Sequence, residues 1–335
     1  MGRSGLKLSE ICLGTMTFGH GTDTAEAARI VALALDRGVN VFDTANSYNG
    51  GEAEVMLGRA LKGRRNEAIV ATKFFNPMGP GPNDSGMSRW HIFRALDDSL
   101  RRLAMDHVDL YFIHHVDEQT PLEEMLRALD DLVRSGKVRY IACSNYECWR
   151  LMEAMAISDS CNLARFECYQ PQYSLVVRDI EEEIVPACEL KGLGIVCWSP
   201  LAGGYLGGRY RPGEAKVAGT RSAEGWAYPS KYFAPNAEKI LAALLEAAKE
   251  LGRSPAEVAL RWVLDRPFMT SAVIGARDAA QAAQSMKAGG WRLPKEIDKR
   301  LDEVSSPGWR YPRSMETGMD QRRANAVKMP GMKTA

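Results

Sequence analysis

The chain carries almost no net charge: 43 Lys and Arg stand against 42 Asp and Glu, leaving +1 over 335 residues. Binding to nucleic-acid phosphates or to an anionic bilayer draws on a basic surplus, so neither partner is expected. The 7 cysteines are odd in number, scattered and never spaced Cys-x-x-Cys, which counts against a zinc ribbon or a disulfide framework and for a reducing compartment. No apolar run is long enough to span a bilayer, and the first residues, Met1 to Lys7, hold no apolar signal core, so a soluble, cytoplasmic protein is the expectation. Also missing is a Gly-x-Gly-x-x-Gly between an early strand and a helix. That absence removes the main signal for a doubly wound sheet with a second domain.

What is present is a core-forming composition, 45% hydrophobic and 25% charged, in a regular alternation of strand-like and helix-like segments. Apolar runs end near Gly14, Asp43, Lys73, His114, Ser144, Tyr169, Trp198 and Ile274, and a helical pattern follows each, the last at Ala279 to Lys287. Thr24 reads as the cap of a helix whose inner face is Ala28, Val31 and Leu35. Ser88 caps a helix to Leu103, and Ser254 with Pro255 opens another. Eight such units in one chain predict a single α/β domain over 1–335, a closed (β/α)8 TIM barrel. Two stretches break the rhythm: 203–235, rich in Gly, Pro and aromatics, and the aperiodic tail 307–335. Both are expected to fold over the mouth as long loops.

The chain is organised around residues 38–52. A short apolar strand ends in Asp43, a turn-rich loop carries Tyr48, and a helix opens near Glu52. The next two strands run into Lys73 and His114. On parallel neighbours of one barrel, these four side chains would meet at one mouth. A phenol with a pKa of about 10 is a poor acid unless its anion is stabilised, and Lys73 beside Tyr48 would lower that pKa. Asp43 would hold the lysine charged, and a neutral His114 would orient a substrate carbonyl. Each residue alone also reads as a cap, a solvated charge or a rim aromatic. A metal pair at His114-His115 is conceivable, but neighbouring strand residues point to opposite faces. The joint pattern suits protonation of an oxygen while hydride reaches its carbon, with no metal or nucleophile required.

These segments carry a resemblance as well. Leu13-Gly14-Thr15-Met16, Phe42-Asp43-Thr44-Ala45-Asn46-Ser47-Tyr48 with Glu52, Ala71-Thr72-Lys73, Ile113-His114 with Asp117, Cys143-Ser144-Asn145, Trp198-Ser199-Pro200-Leu201 and Ile274-Gly275-Ala276-Arg277 are similar, in order, to the aldo-keto reductases. The resemblance implies a barrel oxidoreductase using NADP(H) or NAD(H), with Asp43, Tyr48, Lys73 and His114 as its catalytic tetrad. By the same resemblance Ser144, Asn145 and Gln170 would hold the nicotinamide carboxamide, and Trp198 would stack on the ring. Ser199, Leu201 and Gly203 would approach the pyrophosphate, and Gly275, Ala276, Arg277 and Gln281 the adenosine end. Arg277 is the candidate partner of a 2′-phosphate, which prefers NADP(H). Three departures stand out: Met1 to Gly5 carries no strand pattern for the opening of a floor hairpin, Gln284 and Ser285 replace the usual adenine-binding pair, and no proline precedes Gly275.

The expected function is therefore an NAD(P)(H)-dependent interconversion of an aldehyde or ketone with its alcohol. A cofactor-binding regulatory subunit with little turnover is the alternative, and a cofactor-free lyase or isomerase a third. Phe18, Phe75, Trp90 and the aromatics of 203–235 and 309–311 are candidate pocket walls for a hydrophobic or cyclic small-molecule substrate. Composition leaves a homo-oligomer open.

Overall fold

The computed structural model describes residues 1–214, 217–218, 233–308 and 310–316. Eight parallel strands, β1 (Ile11–Gly14), β2 (Val41–Asp43), β3 (Ile69–Phe74), β4 (Val108–Ile113), β5 (Val138–Ser144), β6 (Phe166–Gln170), β7 (Gly194–Cys197) and β8 (Met269–Gly275), close into a barrel. Each pairs with its neighbour in sequence, and β8 returns to β1 through Ile11–Ala272 and Leu13–Ile274. Helices α1 (Thr24–Asp36), α2 (Glu52–Ala60), α3 (Arg89–Leu103), α4 (Leu122–Arg134), α5 (Cys148–Cys161) and α6 (Ile184–Lys191) follow β1 to β6. Between β7 and β8 lie α7 (Ala237–Leu251) and α8 (Pro255–Leu264). After β8 come α9 (Ala279–Met286), α10 (Lys295–Ser305) and the short α11 (Arg313–Glu316).

The strands are short and apolar on both faces because both faces are covered. Inward-pointing Cys12, Val41, Ala71, Leu110, Phe112, Ala142, Cys168 and Val196 fill the lumen. Their alternate neighbours, among them Leu13, Phe42, Val70 and Ile113, pack under the helices in a second, larger core.

Several local expectations need revising. The cap of α1 is Asp23, whose carboxylate accepts from the Glu26 N–H, and Thr24 is already helical. The buried stripe shifts accordingly to Ala27, Ile30, Val31, Ala34 and Leu35, with Ala28 exposed. Ser88 and Ser254 do cap their helices, the latter in a reciprocal box with Glu257. The helix α10, packed on α7, was not anticipated, although Pro294 followed by Ile297 and Leu301 carries its signal.

The floor is closed without a hairpin. Met1, Leu6 and Leu8 seat against the lumen core, the Met1 ammonium donates to the Leu6 carbonyl at 2.6 Å, and Arg3 N–H donates to the Gly192 carbonyl. Helices α2 and α3 touch backbone to backbone at Gly58, where a Cβ would lie 2.1 Å from the Leu103 carbonyl oxygen. Of the two irregular stretches, the turn 202–207 is described and, against the expectation of an aperiodic tail, so is the helical turn α11 at Arg313–Glu316; Trp226, Tyr228, Tyr232 and Trp309 lie outside the described residues.

Candidate active site

The exits of β2, β3 and β4 bring Asp43, Lys73, Tyr48 and His114 together. Asp43 is the last residue of β2 and is buried, as is Lys73 on the neighbouring β3. The Lys73 ammonium donates to Asp43 Oδ2 at 2.5 Å, to the Thr44 carbonyl at 2.9 Å and to the Tyr48 hydroxyl oxygen at 3.3 Å. Lysine has three protons and no acceptor, so all three are engaged. Since the phenol oxygen accepts from Lys73, the phenol's own proton points elsewhere.

Tyr48 opens a tight 3-10 turn, 48–51, pinned by Asn49, whose amide donates to the Met16 and Phe18 carbonyls of the β1 exit. Asn49 has a φ of 50°, a left-handed conformation that asparagine tolerates better than most residues. Lys73 lowers the affinity of this phenol for its proton, as expected from the sequence. Burial outweighs it, however, and the Tyr48 pKa is raised rather than lowered. Burial also disfavours the Lys73 charge, but Asp43 and Tyr48 more than offset it and raise the Lys73 pKa.

His114 follows the end of β4, its ring centroid 5.9 Å from that of Tyr48 and nearly perpendicular to it. Burial, then the charge of Lys73, pushes its pKa down to about 2, so the ring is neutral. The expectation that His114 and His115 face opposite ways is wrong. Their rings stack at 4.6 Å with planes 9° apart, because β4 ends at Ile113 and strand alternation no longer applies. Phe75 meets the edge of His115 at 5.5 Å. Among the described residues no group of three or more His, Cys, Asp or Glu is arranged to hold a metal.

The second half of the mouth comes from β5 to β8. Gln170 at the end of β6 donates across the lumen to Asp43 Oδ1 at 2.9 Å, and Ser144 at the end of β5 donates to the Gln170 carbonyl at 2.7 Å. Asn145 bridges two exits: its amide donates to the His114 carbonyl at 3.0 Å, and its Oδ1 accepts from the Trp198 indole at 3.1 Å. An Asn145 carboxamide contact would therefore share atoms already bonded within the site. Trp198 is half-buried at the β7 exit. Asn145, Ser199 and Ala202 all have positive φ, at 61°, 52° and 50°, and Gly203 and Gly204 extend the run. Such conformations cost free energy in non-glycine residues and gather where backbone must be aimed.

At the β8 exit, Gly275 is exposed and Ala276 is buried with its carbonyl bonded to Thr17. Gln281 accepts from the Arg277 N–H, the Arg277 side chain passes over Gly21, and Thr22 donates to the Arg277 carbonyl. Of the substituted pair, Ser285 is buried and Gln284, half-buried, donates to Ser254 and Glu257.

Of the candidate wall residues, Phe75 is half-buried at the site, whereas Phe18 is fully buried in the outer core and Trp90 is 64% exposed on α3. Two polar contributors escaped the sequence reading. Ser47 and Asn76 bond to each other beside His114, and an amide in a Pro- and Gly-rich loop gives no periodic or charge signal.

A closed (β/α)8 barrel with a cluster of titratable side chains at the carboxyl ends of its strands has the layout of a barrel enzyme. The sequence model of the Aldo/keto reductase family matches residues 10–306, and the chain belongs to that family. It is similar to the "Uncharacterized oxidoreductase YrpG" of Bacillus subtilis (strain 168), 42% identical over 315 residues, covering 91% of this chain and 94% of the relative. It also resembles the "Probable voltage-gated potassium channel subunit beta" of Oryza sativa subsp. japonica, at 35% over 86% of this chain and 89% of that one. A third relative is aldo-keto reductase dtxS3 of Metarhizium robertsii, 31% identical over 92% and 90%. The family and its oxidoreductase members support carbonyl–alcohol oxidoreduction with a nicotinamide cofactor. No helix among the described residues is long and apolar enough to cross a membrane.

Proposed function

We propose that this chain reduces an aldehyde or ketone to its alcohol, and runs the reverse reaction, with Tyr48 as general acid and base and NADP(H) preferred over NAD(H). The observation that carries this reading is the full engagement of Lys73. Its three protons go to Asp43, the Thr44 carbonyl and Tyr48, so the phenol is oriented with its proton outward beside a neutral His114.

A reduced nicotinamide cofactor, when bound, supplies the hydride. The donor set around the mouth fits such a group: the hydroxyl of Ser144 and the amide of Gln170 suit a carboxamide, and the half-buried Trp198 offers a flat face. The positive-φ turn through Ser199, Leu201, Ala202 and Gly203 suits a pyrophosphate, and Gly275, Ala276, Arg277 and Gln281 the adenosine end. Arg277 there is the guanidinium that favours a 2′-phosphate.

The chain's own residues do the rest. His114, donating from one ring nitrogen, would hold the carbonyl oxygen at the phenol. Tyr48 gives its proton to that oxygen as charge develops on it. The Lys73 cation then stabilises the phenolate, while Asp43 keeps the cation in place. The raised resting pKa of Tyr48 accords with a neutral donor before reaction.

The test is NADPH oxidation with an aromatic aldehyde, alongside titration with NADPH and NADH. Tyr48→Phe is expected to lower kcat by about 10² to 10⁴, the usual worth of a positioned acid, with cofactor affinity retained. Unchanged turnover in Tyr48→Phe would refute the assigned role. The relatives named as potassium channel subunits motivate a second reading, a cofactor-binding regulatory subunit. Tight cofactor binding without turnover across a panel of carbonyls would favour it.

A further inference from the structure

Resting on the reductase reading, we infer that Asn76 and Ser47 form a positioning pair that fixes the tautomer of His114, leaving Nδ1 bare and placing the ring's single proton on Nε2. Asn76 stands three residues after Lys73, where the chain has just left β3. Its Nδ2 lies 3.1 Å from Ser47 Oγ and 3.4 Å from His114 Nδ1. An amide nitrogen carries two protons and accepts nothing. One proton goes to the serine oxygen, and the other faces Nδ1, which must then be the accepting nitrogen of the neutral ring.

The serine contact anchors the amide beside the ring, and the Nδ2 that faces Nδ1 decides which ring nitrogen holds the proton. Other described groups also face this ring. Lys73 and Tyr48 come from the β3 and β2 exits, His115 stacks on it, and Asn145 holds its backbone carbonyl. Lys73 and His115 both oppose a charge on the ring, so it is neutral and only one tautomer can donate toward a substrate oxygen. Without a proton on Nε2, the Nε2 lone pair would face the lone pairs of the carbonyl that it must hold.

The experiment reads the tautomer directly in the full chain. Long-range proton–nitrogen NMR of 15N-labelled protein separates a bare ring nitrogen from a protonated one, and comparison with His114→Gln identifies the His114 signals among the 5 histidines. Wild type is expected to show Nδ1 bare and Nε2 protonated. Asn76→Asp, close in shape but able only to accept when ionised, should move the proton to Nδ1, raise the His114 pKa and lower kcat about 10²-fold, the scale of one lost donor to a developing oxyanion. Ser47→Ala should loosen the amide and move the Nδ1 signal toward that of an unbonded ring nitrogen. A protonated Nδ1 in wild type, or a tautomer unchanged in Asn76→Asp, overturns the inference. These spectra need no turnover, so failure of the reductase reading appears separately, as absence of NADPH oxidation by the wild-type protein.

Discussion

Lys73 and Asp43 place two opposite charges where water does not reach, an arrangement that is tolerable only because every donor and acceptor has a partner. His114 nearby solves the same problem by staying uncharged, and that has a measurable consequence. In the folded chain its pKa is about 2, whereas unfolded it returns to about 6.5. Above pH 6.5 both states are neutral and nothing changes. As pH falls from 6.5 toward 2, only the unfolded state takes up the proton. The contribution of the neutral ring to stability is therefore lost at up to about 1.4 kcal/mol per pH unit. His114→Asn should be relatively less acid-sensitive, so the difference in unfolding free energy between wild type and variant should shrink from pH 7 to pH 5. A difference that stays flat over that range in urea titrations would exclude this linkage. At this scale the sequence is eloquent about residues that end apolar strands, as Asp43, Lys73 and His114 do. It is silent about Asn76, whose neighbours fix its meaning, and misleading about His115, because alternation stops where the strand stops.

The helices obey local rules more closely than the loops do. Ser88 and Ser254 could be assigned as caps because a serine followed by a helical pattern has little other use, and Pro255 at the first turn strengthens the second case. The cap of α1 falls at Asp23, one residue before the expected Thr24, because Asp and Thr are both good caps and stand side by side. Gly58 shows what no propensity scale foretells. In an exposed helix, alanine in place of glycine would stabilise by up to about 1 kcal/mol. Here the added Cβ would meet the Leu103 carbonyl oxygen at 2.1 Å, and backbone cannot step aside as a flexible side chain would. The clash should win, and Gly58→Ala is expected to destabilise by about 1–3 kcal/mol through separation of α2 from α3. Thermal unfolding of the variant checks the sign; a higher Tm would contradict the close approach.

The architecture of the whole molecule was legible because eight repeats of one pattern leave few alternatives, and the strand count follows from where apolar runs end. The means of closing the floor was not, since Met1, Leu6 and Leu8 do their packing from a segment with no regular structure. Nor does the sequence announce that the four candidate catalytic residues depend on distant chain. All four lie between positions 43 and 114, yet Gln170 holds Asp43 from β6 and Asn145 ties the His114 exit to Trp198 just past β7. The site is thus assembled in order of space rather than of sequence. On dilution of the full chain from urea, NADPH-linked turnover should return no earlier than the near-ultraviolet signal of the closed barrel, and activity that leads that signal would show the struts to be dispensable. For a chain made from its N-terminus, the same geometry makes chemistry a late acquisition. A nascent chain showing only its first third already carries acid, base and cation, and remains inert until the later strands arrive to hold them.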